Sequence, residues 1–352
     1  MTTLADTIAR IRMTDLAVAA ATQQLLDNKT KPRHSLGRLE ELACQIAAVR
    51  GTSAPGPLYK AIVVMGADHG VAAEGVSAYP QEVTRQMMLN FARGGAAINV
   101  LARQAGARIV VVDMGVAEAL PDEPAIRAHR IGPGTANFAR GPAMTRGQAT
   151  AALEAGIALA GELVSEGVTL LGIGEMGIAN TTASSALAAV LTGATPETVT
   201  GRGTGIDDAA LARKVAVIRR AIEVNRPDPS DPLDVLTKLG GFEIGGLAGV
   251  ILGGAAAGVP VVIDGFICGA AALVATRLAP TATGYLVSAH RSMELGHRHI
   301  LASLSLAPLL ELDLRLGEGT GAALAMPLVD AALAILRDMA TFSSAGVSDS
   351  GA

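Results

Sequence analysis

Tryptophan is absent from this chain of 352 residues, and all aromatic residues together make up 2% of it. No run of lysines and arginines occurs, and the formal net charge is −4. A nucleic-acid surface needs a positive field and commonly uses stacking rings, so nucleic acid is not expected as a partner. Cysteine is scarce: Cys44 and Cys268 are far apart, each in an apolar segment. With neither a Cys-x-x-Cys metal spacing nor a disulfide framework, both read as buried, reduced thiols. A secretory signal pattern is lacking, because Asp6, Arg10, Arg12 and Asp15 precede any long apolar run. A cytoplasmic protein is expected. Charged residues reach only 17%, against 50% hydrophobic residues and 41 glycines, which is the composition of a chain with a large buried core. Its length suggests one large domain plus a minor one, or two domains.

Residues 244–263 carry no charge and are long enough to span a bilayer. Gly258-Val259-Pro260 interrupts them, however, and a Gly stop followed closely by Pro fits a helix ending near Ala257 and a strand over 259–263. A buried helix–strand pair is expected there, and no membrane span. Other short apolar runs also end in Gly or Asp and precede helical patterns: 61–65, 108–112, 168–173 and 285–287. Such alternation means a parallel sheet covered by helices on both faces, an α/β fold. Ligands of these sheets sit outside the carboxyl ends of the strands. Asp68, His69, Asp113, Glu175, Asp264 and Ser288 all fall at such ends. Residues 6–28 read as one amphipathic helix, Lys31-Pro32 opens a new element, 327–339 read as another helix, and 341–352 as a fraying polar tail. Terminal helices without adjoining strands suggest a small helical unit made from both chain ends.

Three segments carry the chemistry. In Arg315-Leu316-Gly317-Glu318-Gly319-Thr320-Gly321 a lone carboxylate stands between two glycines, which let a ligand approach the backbone. Leu314 and Leu316 are expected to form a weakly solvating wall that raises its pKa and makes it a better base near neutrality. The plainer alternative is an exposed Glu opening the helical run 322–326, where the helix dipole favours an acid. Gly172-x-Gly174-x-x-Gly177 matches a dinucleotide fingerprint, but no ribose-binding acid follows about twenty residues on, so NAD is not supported. The turn leads into Ile178-Ala179-Asn180-Thr181-Thr182, with Asn180 or Thr181 expected as the N-cap of a phosphate-binding helix. Thr200-Gly201-Arg202-Gly203-Thr204-Gly205 with Lys214 beyond it suits a phosphorylated ligand, although it lacks the order of a P-loop. A metal reading is weaker. His297 and His299 point to different sides of a helix, and Asp68-His69 and His290 lack an accompanying ligand cluster, so hydrogen bonding is the expected role.

Together with Ser35-Leu36-Gly37-Arg38-Leu39-Glu40, Ala67-Asp68-His69-Gly70-Val71, Lys238-Leu239-Gly240-Gly241-Phe242 and Asp264-Gly265-Phe266, these motifs make the chain resemble a known family from Lys31 nearly to its end. The family is the nicotinate-nucleotide:5,6-dimethylbenzimidazole phosphoribosyltransferases of cobalamin lower-ligand assembly. The resemblance implies transfer of 5-phosphoribosyl from nicotinate mononucleotide to a benzimidazole nitrogen, giving α-ribazole 5′-phosphate and nicotinate. It implies a homodimer with a Rossmann-like large domain (55–325) and a small helical domain built from 1–45 and 326–352, without metal or other cofactor. Glu318 is then the catalytic base and Glu175 a second functional carboxylate. Gly174, Met176, Gly177, Ile178, Asn180, Thr181, Thr182, Gly203, Lys214 and Ser292 match nucleotide-binding positions, and Tyr79, Met87 and Leu316 the base pocket. His34 replaces an expected glycine, and some members carry Ser at the position of Tyr79 and Gln at that of Met87. These departures bear on the accepted base more than on the reaction. Two other readings remain open on the residues alone: a metal-assisted phosphohydrolase using Asp68, His69, Asp113 and His290, and a non-catalytic nucleotide-binding protein that has no need of Glu318.

Overall fold

The computed structural model describes residues 3–348. One all-parallel sheet contains β1 (Lys60–Ala67), β2 (Ala107–Gly115), β3 (Ile126–Ala128), β4 (Leu170–Met176), β5 (Val261–Ile263) and β6 (Leu286–Ser288). The strand order is β3-β2-β1-β4-β5-β6. This is the doubly wound, Rossmann-like order, whose direction of winding reverses between β1 and β4. The crevice outside the carboxyl ends of those two strands is therefore the natural ligand site. The edge strand β3, Ile126-Arg127-Ala128, has no apolar run to announce it and was not expected.

Side chains alternate across the sheet with period two. Ala61, Val63 and Met65 point into one core with the helices Arg146–Ser165, Asn180–Thr192, Phe242–Ala256 and Phe266–Leu278. Ile62 and Val64 point into the other, with Arg38–Arg50, Ala97–Ala105 and Thr320–Asp338. Burial on both faces explains why the strands read as continuous apolar runs.

The uncharged stretch 244–263 forms the helix Phe242–Ala256, a turn with Gly258 at φ +68°, and β5. Its glycines are packing surfaces: a Cβ on Gly156 would collide with the Gly246 carbonyl, and one on Gly249 with the Leu153 carbonyl. Two helices thus cross almost backbone to backbone, a contact only glycine permits. Among the described residues one helix, Thr320–Asp338, is long and apolar enough to cross a bilayer by length and composition. Its apolar stripe, including Ala322, Met326, Val329 and Leu333, is buried in the second core.

Several local expectations need correction. The helix expected over 6–28 is two, Leu4–Arg10 and Leu16–Asp27, because the Asp15 carboxylate accepts the N–H groups of Ala17 and Val18 and starts the second helix afresh. The first packs on Arg146–Ser165 and Phe242–Ala256, and the second on Arg38–Arg50. At the other end the helix begins at Thr320, not at Pro327, and runs through the proline unbroken. The segment that follows is tied down rather than frayed: Thr30 N–H donates to the Ala340 carbonyl at 3.0 Å and Phe342 N–H to that of Asn28 at 3.2 Å. The last part of the expected tail, 349–352, lies outside the described residues. Cys268 is buried as expected, whereas Cys44 is only half-buried.

Candidate active site

The glycines of β4 make room for other chain segments. A Cβ on Gly172 would lie 2.7 Å from Met326 Cε; on Gly174 it would collide with the Glu318–Gly319 peptide, and on Gly177 it would lie 2.5 Å from the Ala67 carbonyl. Gly174 therefore seats the 317–321 loop on the sheet, Gly172 seats the helix behind it, and Gly177, just past β4, lets the turn pass close to the end of β1. Glu318 is 6% exposed, so it is not the solvated helix-opening acid of the plainer alternative. Its φ of +66° lies in the left-handed region, a strain of roughly 1–3 kcal/mol for a non-glycine residue that the surrounding packing must over-determine. Its Oε2 accepts the Ile98 N–H at 3.4 Å. Burial raises its pKa, the Ile98 hydrogen bond opposes, and the nearby Asp264 charge raises it further. The expected leucine wall is incomplete: Leu316 is exposed in this chain and Leu314 only half-buried.

Glu175, the last but one residue of β4, is buried behind the same loop. A Cβ on Gly317 would collide with its Oε1. Burial pushes its pKa up to about 8 against the pull of the Asn180 amide, and Asp264, Glu243 and Glu318 push the same way. Glu175 is thus a neutral acid at pH 7.

Asn180 donates its side-chain N–H to Glu175 and does not cap the following helix. The N-cap of Asn180–Thr192 is Ala179, at φ +75° and with no side-chain cap. This corrects the expectation of Asn180 or Thr181 as cap, and leaves the helix N-terminus without a side-chain cap, a positive end suited to an anion. Thr84 Oγ1 accepts the Ile178 N–H at 3.0 Å and holds the turn from outside. Lys214 is 1% exposed, and its Nζ donates to Thr181 Oγ1 at 2.8 Å. Gly203, at φ +52°, closes this group, since a Cβ there would lie 2.8 Å from Thr181 Oγ1 and 3.2 Å from Lys214 Nζ. Burial brings the Lys214 pKa down to about 8, with Glu294 opposing. Gly203, Lys214 and the helix N-terminus, distant in sequence, therefore form one cationic cradle.

Ser292 is buried on the β6 side, its N–H donating to His297 Nδ1 at 2.9 Å. Burial and the neighbouring His290 hold the His297 pKa down to about 3, so the ring is neutral and accepts on Nδ1 at any working pH. Of the expected base-pocket residues, Met87 is half-buried on the helix Glu82–Ala92, while Tyr79 and Leu316 are exposed at the rim. Ala78 N–H donates to Thr204 Oγ1 at 3.0 Å, which ties the Tyr79 loop to the second glycine loop. Two cavities, of about 230 and 590 Å³, lie elsewhere; of the strand-end polar residues only Ser288 lines one of them, the smaller, and none of the expected catalytic, nucleotide- or base-binding residues lines either.

The metal reading fails on geometry. His69 Nε2 meets Glu243 Oε1 at 2.7 Å with both side chains fully buried; burial lowers the His69 pKa, but Glu243 and the neighbouring Asp68 together more than offset it, so the net shift is upward. Asp68 accepts the Ala117 N–H at 2.7 Å, and Asp113 pairs with Arg130 at 2.9 Å. Among the described residues the one ligand-like group of three is Asp27, His34 and Glu40, where Lys31 already sits 2.8 Å from Glu40. Glu243 gave no sequence signal, because nothing near it in the chain marks it as more than a helix-opening acid. Asp264 stood at a strand end without an evident role.

A buried carboxylate, a helix start without a side-chain cap and a buried lysine, grouped around the carboxyl ends of a doubly wound sheet, are the features of a group-transfer enzyme for a phosphorylated ligand. Comparison with known proteins agrees. The phosphoribosyltransferase family model matches residues 11–347. A protein of Roseiflexus sp. (strain RS-1) named nicotinate-nucleotide–dimethylbenzimidazole phosphoribosyltransferase is 59% identical over 348 residues, 99% of each chain. One of the same name from Chloroflexus aggregans is 58% identical over 349 residues, again 99% of each. The crystal structure of CobT from Thermus thermophilus superposes with a TM-score of 0.91 at 52% identity, covering 94% of this chain and 99% of that one. The chain belongs to this phosphoribosyltransferase family.

Proposed function

We propose that this chain transfers 5-phosphoribosyl from nicotinate mononucleotide to 5,6-dimethylbenzimidazole or a related base, giving α-ribazole 5′-phosphate and nicotinate in the assembly of the cobalamin nucleotide loop. Near-full-length relatives of 58–59% identity carry that activity in their names. The observation that carries the mechanism is Glu318, a buried, strained carboxylate of raised pKa beside the glycine-lined end of β4.

In nicotinate mononucleotide the leaving ring is a pyridinium, so breaking its C1′–N bond returns the electron pair to the ring nitrogen and cancels the charge there. The leaving group needs no acid. The incoming benzimidazole needs a free lone pair. Glu318 takes the N–H proton of one ring nitrogen as the other attacks C1′ from the opposite face, which converts a β-nucleotide into an α-riboside. The nucleotide is assigned to Gly174, Met176, Gly177, Ile178, Asn180, Thr181, Thr182, Gly203, Lys214 and Ser292, with its phosphate at the cradle of Gly203, Lys214 and the helix start. Tyr79, Met87 and Leu316 flank the base. Neutral Glu175 fits a second role, filling the space behind Glu318 without adding a charge that would repel it. Holding both substrates in line is worth up to about 7–11 kcal/mol, and the general base adds about two to four orders of magnitude.

The same reading includes a cytoplasmic homodimer, in which a small helical unit is assigned to both chain ends. Exposed apolar side chains at the site rim, Tyr79, Met293, Leu312 and Leu316 among them, support a partner surface there. The test is incubation with nicotinate mononucleotide and a panel of benzimidazoles, purines and phenols, with products identified by mass spectrometry. An α-riboside phosphate is expected with dimethylbenzimidazole. Glu318→Gln is expected to keep both KM values within a few-fold while kcat falls by about two to four orders of magnitude. Binding of both substrates without any product would instead mark a nucleotide-binding protein.

A further inference from the structure

Asp264 follows β5 directly and is 1% exposed. Its Oδ2 accepts the Gly319 N–H at 3.0 Å, and its Oδ1 accepts the N–H groups of Gly321 at 2.7 Å and Ala322 at 3.3 Å. The helix Thr320–Asp338 has Gly319 as N-cap and no side-chain cap of its own. A carboxylate from another strand thus does what a local Ser, Thr or Asp ordinarily does. The first of these bonds reaches the peptide that joins Glu318 to Gly319. On the opposite side that peptide lies against Gly174, where any Cβ would collide with it. The Glu318 backbone is therefore clamped between two strand ends in a conformation it would not hold alone. Further support comes from His290, whose Nε2 is 3.4 Å from Asp264 Oδ1. Gly321 leaves the room required, since a Cβ there would collide with the His290 ring and lie 2.6 Å from Asp264 Oδ1.

We propose that Asp264 is the positioning residue for Glu318: by fixing the Glu318–Gly319 peptide and the first turn of the helix it keeps the Glu318 carboxylate turned toward the substrates, and touches neither substrate itself. The proposal rests on Glu318 being the general base. Asp264→Asn probes it at the level of atoms. Asparagine keeps one oxygen for Gly321 and Ala322 but turns an N–H donor toward the Gly319 N–H, so the helix start survives while the Glu318 peptide loses its acceptor. The expected result is a kcat at least tenfold lower with both KM values within about threefold. Asp264→Ser, smaller and also uncharged, should give the same pattern if the Asn variant folds poorly.

A pH profile separates this role from general scaffolding. The groups facing Glu318 are Asp264 from β5, Glu175 from β4 and the Ile98 N–H at the start of the helix Ala97–Ala105. Without the Asp264 charge Glu318 ionises more readily, so the acid limb of kcat/KM should move to lower pH. An unmoved limb with a full rate would overturn the proposal. The double variant Asp264→Asn/Glu318→Gln should be no slower than Glu318→Gln alone, because one residue acts through the other. Additive losses, or a large rise in either KM, would overturn the positioning role and leave Glu318 as base. A Glu318→Gln enzyme near full rate would instead overturn the general-base reading itself.

Discussion

Lys214 is an unusual residue in which to store a charge. Its ammonium is buried, and desolvation brings its pKa down to about 8 even with Glu294 nearby. A phosphate dianion beside it favours the charged form, so substrate and proton bind cooperatively. Below pH 8 the free enzyme already carries the proton. Above pH 8 binding must take one up, and the KM for nicotinate mononucleotide should climb toward tenfold per pH unit. Calorimetry in two buffers of different ionisation enthalpy should report that uptake, and a KM flat to pH 9.5 would remove Lys214 from the phosphate site. Lys214→Met should raise the same KM by about ten- to a hundredfold, the range of one charge-assisted hydrogen bond, with little change in the KM for the base. Glu318 titrates in the other direction. Its pKa is raised by burial and by Asp264, so activity should fall with acid at a higher pH than an ordinary glutamate would dictate.

Among the elements, β4 and the Thr320–Asp338 helix act as one unit. Gly172 receives Met326 and Gly174 receives the peptide after Glu318, so a strand that reads as a nucleotide fingerprint is cut to fit a helix and its N-terminal loop. Gly174→Ala should displace that loop. Overpacking of this kind costs about 1–3 kcal/mol, and it falls on the backbone of the proposed base, so kcat should drop far more than thermal stability does. Thermal melts and single-turnover kinetics on the same preparation would compare the two; equal activity with a lowered Tm would show that the loop had adjusted without loss. Gly156→Ala offers a contrast, since it forces apart two helices remote from the chemistry and should lower Tm more than kcat. The parallel sheet and the Gly-bounded runs at β1, β2 and β4 were legible because burial on both faces demands unbroken apolar residues. The Asp15 break, the course of the chain through Pro327 and the edge strand β3 were not, because long-range packing decides them rather than local pattern.

For the molecule as a whole, the glycine loops and Glu318 could be read from the chain, since each is a local pattern with its chemistry attached. The clamp on Glu318 could not. Asp264 and His290 acquire their roles only when strand ends far apart in sequence become neighbours on one edge of the sheet, and Glu243 only when the start of the helix Phe242–Ala256 meets His69 there. The same edge carries the remaining physical oddity, which is its exposed apolar rim. Met293 N–H donates to the Leu314 carbonyl at 3.1 Å and Arg291 N–H to that of Leu310 at 2.9 Å, so 291–293 and 310–314 run side by side. They leave Met293 and Leu312 more than half exposed. Apolar side chains grouped beside a site that must exclude water call for a cover, and in the proposed homodimer the second chain supplies it. Light scattering should then give twice the 35.5 kDa chain mass. Met293→Glu with Leu312→Glu should weaken the dimer and lower kcat/KM in parallel, and activity per chain should become dependent on protein concentration. If the double variant were monomeric at full activity, the rim would not be the cover of the site, and Tyr79 and Leu316 would have to bound the base within a single chain.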